Sequence, residues 1–220
     1  METRNKLLGT VSLICLIFTV VWLSLFIYES ATKGTVETRE QALASVADPG
    51  LLYYLTYANA TLITLSATML FAGLFVLCKP EAPLWAAMGA AFVPIYGLLN
   101  LFAYLSQITI VPRLVALQPA SDLLLAQMVQ GWSGSAVNVV NNLGYAVLGI
   151  PSIVFGVLLG KRDASLRLAG GLLALSGVAS IIGTVGIVAQ SAALGLGSIV
   201  GGVLFLAALI PLSVVLLQET

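Results

Sequence analysis

The stretch VNVVNNLGYAVLGIPSIVFGVLLG, residues 137–160, contains no Asp, Glu, Lys or Arg and is followed directly by Lys161 and Arg162. A helix that crosses a lipid bilayer needs about 20 consecutive, mostly apolar residues. This stretch is long enough, and an uncharged interior with a basic end is typical of a membrane span. Three asparagines interrupt its apolar character: Asn138, Asn141 and Asn142.

The composition of the whole chain agrees with a lipid environment. Of 220 residues, 60% are hydrophobic and only 8% are charged, whereas a soluble domain has about 25% charged residues. So few ionic groups could not cover the surface of a soluble fold. The formal net charge of zero also argues against a polybasic nucleic-acid binder, so no nucleic-acid partner is expected.

Six apolar windows have the length of a membrane span, and the charged residues lie between them. They cover residues 7–28, 51–78, 84–111, 134–160, 168–190 and 195–217. The first window is longer than the core of a secretory signal, which has about 7–15 residues, so we expect it to be retained. The sequence predicts an all-α polytopic membrane protein whose residues 1–220 form a single bundle of six transmembrane helices.

The distribution of basic residues predicts the orientation of the chain, because loops rich in Lys and Arg stay in the cytoplasm. With a cytoplasmic N-terminus, the inner side carries Arg4, Lys6, Lys79, Lys161, Arg162 and Arg167. The outer side then carries only Lys33, Arg39 and Arg113. We therefore expect both termini to be cytoplasmic.

Two segments on the predicted outer side are longer than turns. Residues 35–46 have Thr35 as a candidate N-cap followed by good helix formers. Residues 121–132 have Ser121 as a candidate cap, and they predict an amphipathic helix at the membrane interface. Its apolar face would consist of Leu124, Leu125, Met128, Val129 and Trp132.

The two basic turns resemble each other. KPEAPLWAAMG (residues 79–89) and KRDASLRLAGG (residues 161–171) share the pattern K-x-[DE]-A-x-L-x-x-A-x-G at an offset of 82. A duplicated helical hairpin would explain this similarity, and so would similar requirements on two similar turns. The sequence leaves both explanations open.

Polar residues recur at helical spacing on the second, third and fourth windows. The candidate ligand-binding residues are Tyr57, Asn59, Thr61, Tyr96, Asn100, Tyr104, Gln107, Asn138, Asn142 and Tyr145. Amides that face lipid are costly, so these side chains should turn inward and form an uncharged polar pocket that opens to the outside. Helical phase places Asn142 opposite Asn100, whereas Asn141 should point elsewhere and join helices.

The chemistry of this pocket suits a small neutral or lipid-like molecule, which the protein would bind or let pass. The alternative is a structural or regulatory membrane subunit in which the amides only join helices. An enzyme is disfavoured because the chain has no histidine, and the Ser133 region lacks the setting of a nucleophile elbow. No cofactor or metal site is predicted, and the only other expected partner is membrane lipid.

The last two windows are rich in small residues. Gly197 and Gly201 form a GxxxG pattern, which lets two helix backbones approach closely. The pattern favours internal packing, and a homo-oligomer formed through these two glycines is the alternative.

The stretch GYAVLGIPSIVFGVLLGKRDASLRLAGGLLALSGVASIIG, residues 144–183, resembles small bacterial integral membrane proteins of unknown function. Those proteins have about six spans and a glycine-rich fifth helix after a short basic turn. The resemblance extends over residues 51–183. It implies the inner membrane of a bacterium or archaeon, and it implies no chemical activity.

Overall fold

A computed structural model describes residues 2–34 and 36–218, and these residues form nine helices. In chain order the helices are α1 (Glu2–Lys33), α2 (Arg39–Ala47), α3 (Leu51–Cys78), α4 (Pro83–Thr109), α5 (Val111–Val115), α6 (Asp122–Met128), α7 (Ala136–Arg162), α8 (Arg167–Val188) and α9 (Ala192–Gln218). The prediction of an all-α fold is confirmed for this part of the chain.

Six of the helices, α1, α3, α4, α7, α8 and α9, are long and apolar enough to cross a membrane. Their most apolar windows have mean hydropathies between 1.6 and 2.7. Many of their large apolar side chains face outward; Leu98 is 71% exposed and Val188 is 76% exposed. Continuous apolar surface of this kind would be costly in water, so the six helices define a multi-pass membrane protein.

The helix bounds follow the predicted windows to within a few residues at most ends. The third window, predicted to end at residue 111, ends at Thr109, and the five-residue helix α5 begins at Val111. Pro112 lies in the first turn of α5, where its missing N–H costs nothing. The proline therefore starts a new helix at a position where the sequence pattern suggested the end of a span.

The helix predicted for residues 35–46 begins later than expected. It covers Arg39–Ala47, and Thr38 is its N-cap. The Thr38 hydroxyl accepts from the backbone N–H of Gln41, and the Gln41 side chain accepts from the backbone N–H of Thr38. This capping box satisfies two donors at once and fixes the start of the helix. Thr35, the predicted cap, lies outside the described residues.

The helix predicted for residues 121–132 is shorter than expected. It covers Asp122–Met128, so Trp132 lies in the turn that follows and not on the helix. Leu125 and Val129 are buried, whereas Leu124 is 55% exposed. The Ser121 hydroxyl does not cap the helix; it donates to the backbone oxygen of Leu114 across 2.6 Å.

Contacts group the chain into two compact units. The first comprises the described residues of the ranges 1–17, 65–97 and 142–220, and the second comprises those of 18–64 and 98–141. The first unit has a large apolar core, whose fully buried side chains include Phe71, Leu74, Phe155, Leu159, Leu173 and Leu209. The second unit has a smaller core beneath α2, α5 and α6, formed by Ala42, Val46, Tyr53, Val111, Leu114, Leu125 and Val129.

Glycines bring α7 and α8 into direct backbone contact in the first unit. A methyl group on Gly149 would lie 2.6 Å from the carbonyl oxygen of Gly177, and one on Gly156 would lie 2.5 Å from that of Gly170. Real Cβ atoms do not approach backbone this closely. Both contacts therefore require glycine, as in close helix pairs of other membrane proteins.

The GxxxG pattern of α9 packs against α8 of the same chain. A methyl group on Gly197 would lie 2.6 Å from the carbonyl oxygen of Ala179, and Ser176 donates to the backbone oxygen of Gly201 across 2.8 Å. The face of these glycines is thus occupied by a helix of the same chain. A homo-oligomer through Gly197 and Gly201 stays a prediction.

Candidate functional site

The fully buried amide of Gln107 joins three parts of the second unit. Its Oε1 atom accepts from the Tyr53 hydroxyl across 3.2 Å and from the Gln130 backbone N–H across 3.1 Å. Its Nε2 atom donates to the backbone oxygen of Met128 across 2.8 Å. One side chain of α4 therefore holds both α3 and the segment after α6.

That segment is held a second time through Gln130. The Tyr57 hydroxyl donates to Gln130 Oε1 across 3.2 Å, and Asn138 Nδ2 donates to the Gln130 backbone oxygen across 2.9 Å. Residues 129–135 are not helical, so their backbone groups lack the partners that a helix supplies. Such backbone is tolerated within a membrane protein where protein groups satisfy it. Gln107 and Asn138 satisfy the backbone N–H and the backbone oxygen of Gln130, and Tyr57 holds its side chain.

Tyrosine rings line the same region. The rings of Tyr53 and Tyr57 lie edge to face, with centroids 4.7 Å apart. The rings of Tyr57 and Tyr104 lie 6.4 Å apart. Aromatic pairs at these separations stabilise packing, and Tyr53 and Tyr104 are buried.

Asn100 has an unusual environment. It is fully buried, and its Nδ2 atom donates to Asn141 Oδ1 across 3.1 Å. Its Oδ1 atom is also buried, and it has no hydrogen-bond partner among the described residues. The nitrogen of this amide is therefore hydrogen-bonded, whereas its oxygen is an acceptor without a partner among the described residues.

We call these side chains together the amide–tyrosine cluster. Its members are Tyr53, Tyr57, Asn100, Tyr104, Gln107, Gln130, Asn138 and Asn141. All of them are uncharged groups that both donate and accept hydrogen bonds. The cluster could hold a neutral polar group, but it offers no nucleophile paired with a base. In residues 2–34 and 36–218, no three His, Cys, Asp or Glu side chains are placed to hold a metal ion.

Five of the ten predicted site residues belong to the cluster: Tyr57, Asn100, Tyr104, Gln107 and Asn138. Two others of the second unit have different roles. Asn59 Nδ2 donates to the backbone oxygen of Phe18 across 2.9 Å, which joins α3 to α1. The Thr61 hydroxyl donates to the Tyr57 backbone oxygen of its own helix across 2.9 Å.

The other three predicted residues, Tyr96, Asn142 and Tyr145, belong to the first unit. Asn142 contacts α8 and α9. Its backbone oxygen accepts from the Thr184 hydroxyl across 2.8 Å, and its Oδ1 atom accepts from the Ser198 hydroxyl across 3.4 Å.

The roles expected for Asn141 and Asn142 are therefore exchanged. Asn141, not Asn142, bonds to Asn100. The physical reason is that Asn142 lies seven residues before Gly149, and residues seven apart share a face of a helix. Gly149 packs against the backbone of α8, so Asn142 turns to the same side.

Sequence reasoning also missed Gln130, Asn141 and Tyr53 as members of the cluster. Tyr53 lies four residues before Tyr57 on α3, so helical spacing places it on the same face. Gln130 precedes Gly131 in a segment that was expected to be helical. An isolated amide next to a glycine only weakly indicates a site residue. Gln130 reaches Gln107 only because of the path that the chain takes after α6.

Two clefts with volumes of about 270 and 250 Å³ lie in the first unit. They are lined by residues of α3, α4, α7 and the turn between α3 and α4. None of the ten predicted site residues lines either cleft.

The chain matches no protein-family model, no curated protein and no solved structure. The six long apolar helices alone therefore define the class of this protein, which is an integral, multi-pass membrane protein. The resemblance to small bacterial six-span proteins stays a prediction.

Proposed function

We propose that this is a non-catalytic membrane protein that binds, or lets pass, a small neutral or amphipathic molecule at the amide–tyrosine cluster. The observation that supports the proposal is the buried Oδ1 atom of Asn100, which has no partner among the described residues. A buried acceptor without a hydrogen bond costs about 1–3 kcal/mol. A hydroxyl or amine donor from a ligand would remove that cost.

The neighbours of Asn100 indicate the class of ligand. Tyr104 lies one helical turn further along α4, and its ring lies beside that of Tyr57. Amide and phenol groups can hydrogen-bond to a neutral molecule while the rings contact its apolar part. Without a charged side chain in the cluster, an ion would lose its hydration without a counter-charge. We therefore infer a neutral ligand with at least one donor.

The segment around Gln130 would control access. Three hydrogen bonds hold Gln130, through its backbone N–H, its backbone oxygen and its side-chain oxygen. Each such bond in a membrane protein contributes about 0.6 kcal/mol, so opening the segment would cost about 2 kcal/mol. At that cost roughly a few per cent of molecules are open at any time, which suffices for a ligand to enter.

The cellular setting is part of the same proposal. We infer a bacterial or archaeal inner membrane, with both termini in the cytoplasm. The excess of basic residues on one side of the predicted spans supports this orientation.

A second candidate function is a structural or regulatory subunit without a ligand. The hydrogen bonds of Gln107, Gln130 and Asn138 support it, because these groups already satisfy one another. In that case the Asn100 acceptor would bind a water molecule or stay unfilled, and the cluster would only fix the packing of the helices.

The two candidates can be separated by measuring solute entry into proteoliposomes. Glycerol is a suitable neutral probe, and its entry can be followed by stopped-flow light scattering. Native mass spectrometry of the purified protein would detect neutral molecules that stay bound to it. Wild type should admit glycerol or retain a neutral molecule, and Asn100→Leu should lose both properties. Asn59→Leu is the matched control, because it removes an amide of the same unit outside the cluster. If wild type and Asn100→Leu behave alike, the subunit interpretation is favoured.

A further inference from the structure

The two turns with similar sequences contact each other in the first unit. Arg162, at the end of α7, forms an ion pair with Glu81 in the turn between α3 and α4. The same Nη1 atom donates to the backbone oxygen of Leu77 across 2.9 Å. The ion pair and this bond fix the guanidinium of Arg162 at the mouth of a cleft.

The cleft has a polar part and an apolar part. The polar part, of about 270 Å³, is lined by Glu81, Lys161 and Arg162 together with Cys78, Ala82, Trp85 and Leu158. The apolar part, of about 250 Å³, is lined by Ile153, Val154 and Val157 of α7. Trp85, Leu158 and Lys161 line both parts, so the two adjoin each other along α7.

The length of this cleft suits an acyl chain. Ile153 and Lys161 are eight residues apart on α7, which corresponds to about 12 Å along a helix. One leaflet of the hydrocarbon core is about 15 Å thick, half of the 30 Å of the whole core. The apolar part therefore runs along most of one leaflet, beginning at the charged end of the helix.

The cations at its mouth are placed to bind an anion. Lys161 is exposed, and its ammonium group has no hydrogen bond or ion pair among the described residues. Arg162 donates through Nη1 to both Leu77 and Glu81, so Nη2 and Nε keep donors for another acceptor. Trp85, which is 57% exposed, lies in the first turn of α4, and Trp side chains are enriched at the level of lipid headgroups.

The electrostatic balance of the two turns is positive. Residues 79–82 and 161–167 carry four basic side chains and two acidic ones, which leaves a net charge of +2. The acidic side chains are Glu81, which is paired with Arg162, and Asp163. The backbone N–H of Ser165 donates to Asp163 across 2.8 Å and lowers the pKa of that carboxyl group, so Asp163 stays charged at neutral pH.

We propose that this cleft binds one anionic glycerophospholipid of the leaflet on the side of the two turns. The phosphate lies between Lys161 and the outer donors of Arg162, and one acyl chain lies along Val157 and Ile153. A basic site between helices at a membrane surface is the usual recognition of an acidic headgroup, and the apolar part adds selectivity for a membrane lipid over free phosphate. The site lies in the first unit and is independent of the amide–tyrosine cluster.

The test is lipid retention by the full-length protein in detergent, measured by native mass spectrometry after addition of phosphatidylglycerol or phosphatidylcholine. Wild type should retain one phosphatidylglycerol in preference to phosphatidylcholine, and soluble glycerol phosphate should not displace it. Lys161→Gln should weaken retention about fivefold, since one basic group near a membrane contributes about 1 kcal/mol. Lys161→Arg should restore it.

Two matched controls separate a built site from general attraction. Lys79→Gln removes the same charge from the neighbouring turn, where the ammonium lies 5.4 Å from the Phe75 ring and outside the cleft; retention should stay within twofold. Val157→Trp should block the apolar part, whereas Val178→Trp, at a position that is also 43% exposed, should not. The proposal is overturned by equal retention of both lipids, by equal loss in the two Lys variants, or by full retention in Val157→Trp. Unchanged thermal unfolding of each variant shows that its fold is intact.

Discussion

Asn100 of α4 donates through its side-chain nitrogen to the side-chain oxygen of Asn141 of α7, across 3.1 Å. Asn100 is fully buried and Asn141 is 5% exposed, so this bond lies in the interior of the second unit. The next residue along α7, Asn142, bonds instead to Thr184 and Ser198. Two adjacent asparagines thus join α7 to different sets of helices.

The bond between Asn100 and Asn141 should appear as an energetic coupling. Asn100→Leu and Asn141→Leu each leave one buried amide without its partner, and the double variant removes both amides. The double variant should therefore be more stable than the sum of the single effects predicts, by about 0.6–1.7 kcal/mol. The measurement is a double-mutant cycle from reversible unfolding by dodecyl sulfate in mixed micelles.

Asn142→Leu provides the control for this cycle. Asn142 contacts α8 and α9, so its substitution should add to that of Asn100 within about 0.5 kcal/mol. A larger coupling of Asn100 to Asn142 than to Asn141 would contradict the arrangement of the three side chains.

Gln107 should hold the segment of residues 129–135 in place. Gln107→Leu removes the bonds to Met128, Gln130 and Tyr53, and it should destabilise the protein by about 1–3 kcal/mol. The segment should also open more often. A cysteine introduced at Val129, which is 2% exposed, should react with a water-soluble maleimide at least about fivefold faster in the Gln107→Leu background.

The native cysteines give little background in this experiment, because Cys15 and Cys78 are both buried. Gln118→Leu is the matched control, since Gln118 is exposed in the same unit and its side chain makes none of these bonds. An unchanged labelling rate in Gln107→Leu would show that the segment is held by other contacts.

The sequence predicted the number and type of the long helices because burial in lipid imposes a strong, local requirement. An apolar run of about 20 residues has few alternatives to a spanning helix. The ends of the short helices were predicted less well. Thr38 rather than Thr35 begins α2 because Gln41 lies three residues after Thr38 and completes the capping box. The three-residue spacing of Thr38 and Gln41 is the sequence signature of a capping box, and it is the better guide to the start of this helix.

The partners of the polar side chains were harder to predict. Helical phase shows which residues share a face, but not which neighbour that face meets. Asn138 lies four residues before Asn142 and three residues before Asn141, so it could share a face of α7 with either one. The glycines of α7 resolve the choice, because Gly149 and Gly156 must face the backbone of α8. Gln130 could not be placed at all, since its position depends on the course of a non-helical segment.

The contact between α7 and α8 should be sensitive to a single methyl group. Gly177 lies against the backbone oxygen of Gly149, the Cβ atom of Ser152 and the side chain of Ile153. Gly177→Ala forces this helix pair apart and should cost about 1–3 kcal/mol. Gly171→Ala on the same helix is the control, because nothing lies within 4 Å of its added methyl group; it should be neutral or stabilising. Equal losses in the two variants, measured by unfolding in detergent, would exclude close packing at Gly177 as the cause.

The orientation in the membrane can be decided with two exposed positions that lie in different connections of the chain. Asp163 lies between α7 and α8, and Ser133 lies between α6 and α7. Because basic residues concentrate near Asp163, the positive-inside rule predicts that this turn is cytoplasmic. In intact cells, a membrane-impermeant maleimide should therefore label Ser133→Cys and leave Asp163→Cys unlabelled until the membrane is permeabilised. The buried native cysteines make the unmodified chain the blank for both variants. Labelling of Asp163→Cys alone in intact cells would place both termini outside. It would also move the lipid site at Lys161 and Arg162 to the outer leaflet.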